Sequence, residues 1–180
     1  LLGELGAELG LNSASFSSYG SEKRGSPVKA YIRWWDGDKE LRINSPIETP
    51  HILGLFHENL AGKLPVTAGV GKGTKVIVNT DRTPQEMRDR LKLHAGELYC
   101  IDAQKIGMES KTRVNMIMLG AVAKAAGFIP LEAVCKLAEE TIGKKYPDLL
   151  ERNLEGIRRG FEEAEVQQFP PDKRYEEVAY

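Results

Sequence analysis

A polar stretch with two glycines, residues 19–27, contains the residue types best suited to bind an anionic group. Its sequence is Tyr-Gly-Ser-Glu-Lys-Arg-Gly-Ser-Pro. Glycines reach backbone conformations that are closed to other residues, and the serines and Arg24 can donate hydrogen bonds to phosphate or carboxylate oxygens. Glu22 could pair with Lys23 or Arg24 and hold the segment, so a solvated turn with a local ion pair explains the same residues. On residue types alone both interpretations stay open.

A second glycine-rich segment, residues 69–74, does not match the pattern of a phosphate-binding loop. A phosphate-binding loop requires Gly-x4-Gly-Lys-[Ser/Thr] followed by a helix whose N-terminus faces the anion. Here the glycines precede the apolar run Val-Ile-Val at residues 76–78, which is typical of a strand. We therefore predict a turn before a strand at this position and no phosphate site.

The histidines do not form a recognisable catalytic set. His51, His57 and His94 are the only three in the chain. His57 and Glu58 are neighbours, which point apart in a strand, and no His-x3-His pair or carboxylate at ligand spacing accompanies them. A Gly-x-Ser-x-Gly elbow is also absent. We predict surface histidines, no catalytic residue and no metal site in this chain.

The two cysteines, Cys100 and Cys135, are far apart in the sequence and belong to no Cys-x-x-Cys pair. They cannot assemble a zinc site or an iron–sulfur cluster by themselves. Both lie among apolar residues, which is typical of buried thiols in a reducing compartment. The sequence thus predicts two unpaired cysteines and a cytoplasmic protein.

The elements that must position residues 19–27 are predicted to alternate between strands and helices. An amphipathic helix over residues 1–10 precedes a short strand at 12–16, and residues 28–34 alternate apolar and charged side chains, as in an antiparallel or edge strand with one solvated face. Lys29 and Arg33 continue the positive charge along that face. Continuous apolar runs at 52–56, 76–78 and 98–101 predict parallel strands buried on both faces.

Helices with clear ends separate and follow these strands. Thr83, Pro84 and Glu86 form a capping box that begins a helix through about Leu93. Three further helices are predicted over residues 114–126, 130–142 and 150–164, the first of them buried and ended by a left-handed glycine. The alternation specifies an α/β fold, a Rossmann-like layered, mostly parallel sheet flanked by helices, with an antiparallel edge strand and a helical C-terminal part.

Length and composition agree with one globular α/β domain over residues 1–165 and a C-terminal tail over 166–180 that packs on the surface or on a partner. The chain has 180 residues, of which 41% are hydrophobic, and a net charge of -1. A near-neutral chain lacks the basic field that non-specific binding of nucleic acid or a membrane surface requires. No apolar run approaches the length of a membrane span.

Four segments resemble motifs of one family. Residues 19–28 resemble the Ser-[Phe/Tyr]-Gly-x-Glu-x-Arg-Gly-[Gly/Ala/Ser]-x-Val motif of the gamma subunits and gamma domains of the 2-oxoacid:ferredoxin oxidoreductases. Residues 115–121, Asn-Met-Ile-Met-Leu-Gly-Ala, resemble the family helix Asn-x3-Leu-Gly-Ala. Residues 153–161 resemble its last helix, Asn-x6-Gly-[Phe/Tyr], and residues 43–47 resemble the segment before its next strand. The chain is identified as a member of this family.

The resemblance implies a gamma subunit of the pyruvate synthase type, inactive by itself. Its complex would oxidatively decarboxylate a 2-oxoacid, pyruvate by default, with coenzyme A as acyl acceptor and ferredoxin as electron acceptor, or run the reverse synthesis. Thiamine diphosphate and iron–sulfur clusters would be held by partners, the alpha, beta and ferredoxin-like delta subunits or equivalent domains. No cofactor is expected on this chain alone, which agrees with its lack of cluster ligands.

By the same resemblance, several residues would face the active-site cleft and the approach of coenzyme A: Tyr19, Gly20, Ser21, Glu22, Arg24 and Gly25. Arg24 is a candidate for binding a coenzyme A phosphate or a carboxylate of another subunit. Asn115 would begin a buried helix, where its amide must find partners, so a structural cap and a role in the cleft both stay open.

One departure concerns the start of the chain. Members of the family begin with a strand and a Gly-x-Gly-Gly-Gln-Gly loop before the first helix, whereas Leu1 already lies within that helix, so we expect further residues upstream. His51 stands where many members have an acidic residue.

Two alternatives for the function of the chain remain: a free-standing nucleotide-binding α/β module that acts as a sensor or adaptor, and a purely structural docking subunit.

Overall fold

The computed structural model describes residues 1–19, 27–37 and 45–176, which form two compact units, Leu1–Ile47 and Glu48–Tyr180. In chain order the helices and strands are α1 (Leu2–Glu8), β1 (Asn12–Tyr19), β2 (Val28–Trp35), β3 (Ile52–Leu55), β4 (Lys75–Asn79), α2 (Pro84–Leu91), β5 (Gly96–Ile101), α3 (Ala103–Ser110), α4 (Val114–Ala126), α5 (Leu131–Ala138), α6 (Leu150–Glu163) and β6 (Glu165–Phe169). The predicted α/β class is confirmed, while one domain over residues 1–165 stays a prediction.

The first unit is an antiparallel hairpin covered on one face by a helix. β1 and β2 pair from Asn12 opposite Trp35 to Tyr19 opposite Val28, so the predicted first strand extends further than expected. Helix α1 packs closely on this pair, because a Cβ at Gly6 would lie 2.5 Å from the Trp34 ring. The Trp34 indole N–H donates a hydrogen bond to the Leu2 carbonyl at 3.2 Å.

The second unit contains a four-stranded sheet in the order β3-β4-β5-β6. β3, β4 and β5 are parallel, as the apolar runs predicted, and β6 is antiparallel to β5. Full burial is confirmed for residues 76–78, which have 0% exposure. For β3 the prediction is wrong, since Gly54 is exposed and Ile52 and Leu53 are half-buried; β3 is an edge strand of the described sheet.

Side chains of the central strands β4 and β5 point alternately into two apolar layers, one on each face of the sheet. Val76 and Val78 pack with α2 and Phe169 on one face, whereas Ile77 packs with α3 and α4 on the other. Because successive strand residues point to opposite faces, a continuous apolar run supplies both layers at once. The predicted capping box of α2 is confirmed, with Thr83 and Glu86 each accepting from the other's backbone N–H.

Glycines allow the backbones of helices α4 and α6 to come into direct contact where the two helices cross. A Cβ at Gly120 would lie 1.9 Å from the Ile157 carbonyl oxygen, and a Cβ at Gly160 would lie 1.9 Å from the Ile117 carbonyl oxygen. Next to this crossing, the Thr112 hydroxyl donates to the buried Asn153 side chain at 2.7 Å. Two of the family-like motifs, at 115–121 and 153–161, therefore meet at one helix–helix contact.

The predicted ends of two neighbouring helices are confirmed in part. α4 ends at Gly127, whose φ of 75° is the predicted left-handed cap. The sequence predicts one helix from 130 to about 142. In the structure the α-helical part, α5, ends at Ala138, and the chain remains helical through a π-helical segment, Glu139–Gly143. Helix α3, which the sequence analysis did not predict, buries Ala103 and Ile106 against the sheet.

Strand β6 follows α6, where the sequence predicts only a C-terminal tail. β6 is an edge strand whose only buried side chain is Phe169, so its apolar pattern is weak. Beyond it, the Asp172 carboxylate contacts His94 Nδ1 at 3.1 Å and Arg88 Nη2 at 3.5 Å. Hydrogen bonds from the Arg174 backbone N–H and from His94 hold the pKa of Asp172 below its usual range.

The prediction of surface histidines holds for two of the three. His51 and His57 are exposed, but His94 is half-buried and bound to Asp172. The sequence could not reveal this pairing, because the two residues are 78 positions apart.

Candidate functional site

The predicted anion-binding stretch lies largely outside the described residues. Tyr19 ends β1, and its backbone pairs with Val28 at the start of β2. Gly20, Ser21, Glu22, Arg24 and Gly25 belong to the undescribed residues 20–26 that join these two positions. Their role in a cleft stays a prediction.

The two cations that follow this stretch share one face of the hairpin, as predicted. Lys29 is opposite Ser18 and Arg33 is opposite Ala14, on the face that also carries the stacked rings of Phe16 and Tyr31. Lys29 is exposed. The Arg33 guanidinium lies 5.9 Å from the centre of the Phe16 ring and donates to the Ser45 carbonyl at 2.8 Å. Arg33 therefore also has a structural role within this unit.

Asn115 is exposed, and the prediction of a buried amide is wrong. The N-cap of α4 is Arg113, so Asn115 is the second helical residue and does not cap the helix. Burial begins one residue later, at Met116. The reason is the helical repeat, which turns Asn115 away from the sheet that Ile117 and Met118 contact. Its role in a cleft stays a prediction.

The turn prediction for residues 69–74 is confirmed. The Gly71 N–H donates to the Thr74 hydroxyl at 3.0 Å, and that hydroxyl donates to the Pro50 carbonyl at 2.8 Å. The Lys72 N–H donates to the Tyr175 hydroxyl at 3.0 Å. β4 begins directly afterwards, so these donors hold a turn together and do not precede a helix.

A polar cleft lies at the carboxyl ends of β4 and β5, and the sequence analysis missed it. Its volume is about 280 Å³. It is lined by the residues after each strand and by the corner between α6 and β6: Thr80, Asp81, Arg82, Thr83, Cys100, Ile101, Asp102, Lys105, Ile106, Glu163 and Glu165. The available signal was the polar residues that directly follow two buried strands, because ligands of open α/β sheets bind at such ends.

Hydrogen bonds hold the residues around this cleft in place. The buried Asn79 side chain donates to the Phe56 carbonyl at 3.0 Å and accepts from the Ala103 N–H at 3.0 Å. The Thr80 hydroxyl donates to the Glu58 carboxylate, which also lies 3.5 Å from Arg82 Nε. Asn79 thus joins the chain after β3 to the start of α3 through the end of β4.

One thiol, Cys100, lines this cleft. Burial, with a smaller effect of Glu165, raises the pKa of the Cys100 thiol to about 12, so the thiol is protonated near neutral pH. Cys135 is also buried, as predicted, and burial raises its pKa. Within the described ranges, no group of three or more His, Cys, Asp or Glu side chains could hold a metal ion.

Sequence comparison assigns the chain to a family. The profile described as pyruvate ferredoxin/flavodoxin oxidoreductase matches residues 1–163. The chain belongs to this family. The family membership predicted from the four motif-like segments is therefore confirmed.

Relatives of this chain include proteins named as subunits of pyruvate-converting enzymes. The pyruvate synthase subunit PorC of Thermotoga maritima is 31% identical over 166 residues, which are 91% of this chain and 84% of that protein. The pyruvate/ketoisovalerate oxidoreductases common subunit gamma of Thermococcus litoralis is 34% identical over 84% of this chain and 80% of its own length.

Solved structures show the same fold. The crystal structure of the pyruvate oxidoreductase subunit PORC of Thermotoga maritima superposes with a TM-score of 0.78 and 26% identity, covering 93% of this chain and 88% of that one. The 2-oxoglutarate:ferredoxin oxidoreductase of Magnetococcus marinus matches with a TM-score of 0.65 and 20% identity, over 97% of this chain and 29% of that one. The latter likeness concerns the fold alone.

None of the helices in residues 1–19, 27–37 and 45–176 combines the length and the apolar character needed to cross a membrane.

Proposed function

We propose that this chain is the gamma subunit of a cytoplasmic 2-oxoacid:ferredoxin oxidoreductase complex that acts on pyruvate. The observation that carries the proposal is the family match over residues 1–163, together with relatives named as pyruvate synthase and pyruvate/ketoisovalerate oxidoreductase subunits. In the proposed reaction the 2-oxoacid loses carbon dioxide, its acyl group passes to coenzyme A and two electrons pass to ferredoxin, or the reverse.

The redox groups of this reaction belong to partner subunits in the proposal. The chain has two cysteines, both buried, whereas an iron–sulfur cluster needs four accessible thiolate ligands. The residues present therefore do not fit a cluster, and in the proposal no electron passes through this chain. Thiamine diphosphate is likewise assigned to the alpha, beta and delta partners or equivalent domains.

Reconstitution tests the function directly. The full chain alone is expected to show no pyruvate-dependent reduction of a dye or ferredoxin, and activity is expected when the remaining subunits are added. Assembly and coenzyme A-dependent activity would be followed together. Activity of the lone chain would contradict the proposal, and tight nucleotide binding by the lone chain without a partner would favour a free-standing sensor or adaptor.

The contribution to coenzyme A binding is assigned to Tyr19, Gly20, Ser21, Glu22, Arg24 and Gly25, with Asn115 as a further candidate. We expect Arg24→Ala, in the reconstituted complex, to raise the KM for coenzyme A roughly tenfold, because a charge-assisted hydrogen bond to a phosphate is lost. The KM for pyruvate is expected to remain unchanged.

Lys63→Ala is the matched control for Arg24→Ala, since Lys63 is an exposed lysine outside the stretch that carries the assigned residues, and it is expected to leave the KM for coenzyme A unchanged. If Arg24→Ala leaves the coenzyme A kinetics unchanged, the chain has a structural docking role and the assigned residues do not bind the cofactor.

A further inference from the structure

A shallow apolar groove lies between the outer face of α3 and the start of α4. We call it the Met108 groove, and its volume is about 460 Å³. It is lined by Gln104, Gly107, Met108, Thr112, Arg113 and Val114. All of these residues belong to the second compact unit and none belongs to the polar cleft.

Met108 is the most exposed large apolar side chain of the described residues, at 75%. Helix α3 buries Ala103 and Ile106, and Gly107 brings the helix close to the following connection, since a Cβ there would lie 3.0 Å from the Thr112 carbonyl oxygen. The next position therefore points away from the core. A long, unbranched thioether on a surface adapts readily to an apolar partner.

Two cations lie at the groove: Arg113 lines it, and Lys111 directly precedes the lining residue Thr112. Lys111 and Arg113 are both exposed, and neither forms an ion pair with any residue in the described part of the chain. Glu109, the nearest carboxylate along α3, is bound to Arg159 at 2.8 Å. An apolar groove with two unneutralised cations beside it fits a partner surface that carries an apolar side chain beside carboxylates.

We propose that the Met108 groove binds a segment of another subunit of the complex, in which an apolar side chain is flanked by Asp or Glu. This inference rests on the proposed function, which requires partner subunits. A second copy of this chain is a poor occupant, because a two-fold contact through the groove would place Lys111 and Arg113 of both copies near one another.

Charge and polarity reversals in the full chain test this interface. Met108→Glu and the double variant Lys111→Glu with Arg113→Glu are each expected to weaken assembly with the remaining subunits roughly tenfold or more. Val166→Glu, an exposed apolar position on β6, and Lys63→Glu, an exposed lysine before β4, serve as matched controls and are expected to assemble like the wild type. Unfolding midpoints would verify that all variants are folded.

The outcomes separate this inference from the proposed function. If the wild type assembles and both groove variants assemble equally well, the groove is not a docking site and the proposed function stands. If the controls weaken assembly as much as the groove variants do, the effect is not local and the inference fails. If the wild type does not assemble with the remaining subunits, both proposals fail.

A photo-crosslinking residue at position 108 identifies the occupant in the reconstituted complex. The expected product is a peptide of another subunit with an apolar residue and at least one carboxylate beside it. Crosslinking to a second copy of this chain, or to a peptide without Asp or Glu, would overturn the proposed chemistry.

Discussion

Gly160→Ala is expected to lower the free energy of unfolding of the second unit by about 3 kcal/mol. The new methyl group would lie 1.9 Å from the Ile117 carbonyl oxygen, which is backbone and cannot turn aside as a flexible side chain can. The α4–α6 contact must open to admit it, and the apolar layer under α4 opens with it. Gly120→Ala is expected to act alike, because its Cβ would meet the Ile157 carbonyl oxygen at the same distance.

Urea unfolding followed by circular dichroism measures this effect. Gly54→Ala is the matched control, since its nearest neighbour would be a Phe56 ring atom at 3.7 Å, an ordinary contact. The double variant at positions 120 and 160 is expected to cost less than the two single changes together, because the first already separates the helices. An unchanged midpoint for Gly160→Ala would contradict the close crossing of α4 and α6.

Asn79→Leu is expected to destabilise the second unit by about 2 kcal/mol, even though leucine is similar in size. Asn79 has 5% exposure, and its amide satisfies both the Phe56 carbonyl and the Ala103 N–H. Leucine leaves the buried Ala103 N–H and the partly buried Phe56 carbonyl without this partner. The loss should also loosen the polar cleft, because Asn79 joins the segments after three consecutive parallel strands.

Unfolding midpoints and amide hydrogen exchange check this second prediction. Exchange of the Ala103 N–H is expected to accelerate in Asn79→Leu, and the exposed Asn59→Leu provides the control. A variant with wild-type stability and wild-type protection at Ala103 would show that Asn79 does not connect these segments.

The motifs that identified the family have a physical explanation in the structure. Gly120 and Gly160 come from different motifs and meet at one helix crossing, where any side chain would displace a backbone carbonyl. Asn153, from the same motif as Gly160, is buried and accepts a hydrogen bond from Thr112. Motif residues in the second unit thus account for packing, while the first motif falls mainly on undescribed residues.

Local sequence was enough to determine several elements. The capping box of α2, the glycine that ends α4 and the apolar runs of β4 and β5 depend on residues close to one another along the chain. For such signals, backbone preference and side-chain period favour the same element. The sequence therefore determined the α/β class, the parallel core strands, the two buried thiols and, through its motifs, the family.

Tertiary structure decided what depends on residues far apart in sequence. β6 is a strand because β5 offers it backbone partners, and His94 is not a free surface histidine because Asp172 reaches it. The polar cleft exists because strand ends and helix ends from separate segments converge. None of these features has a local period or cap, since a polar edge strand, an ion pair and a cleft acquire their character only from neighbours that folding brings together.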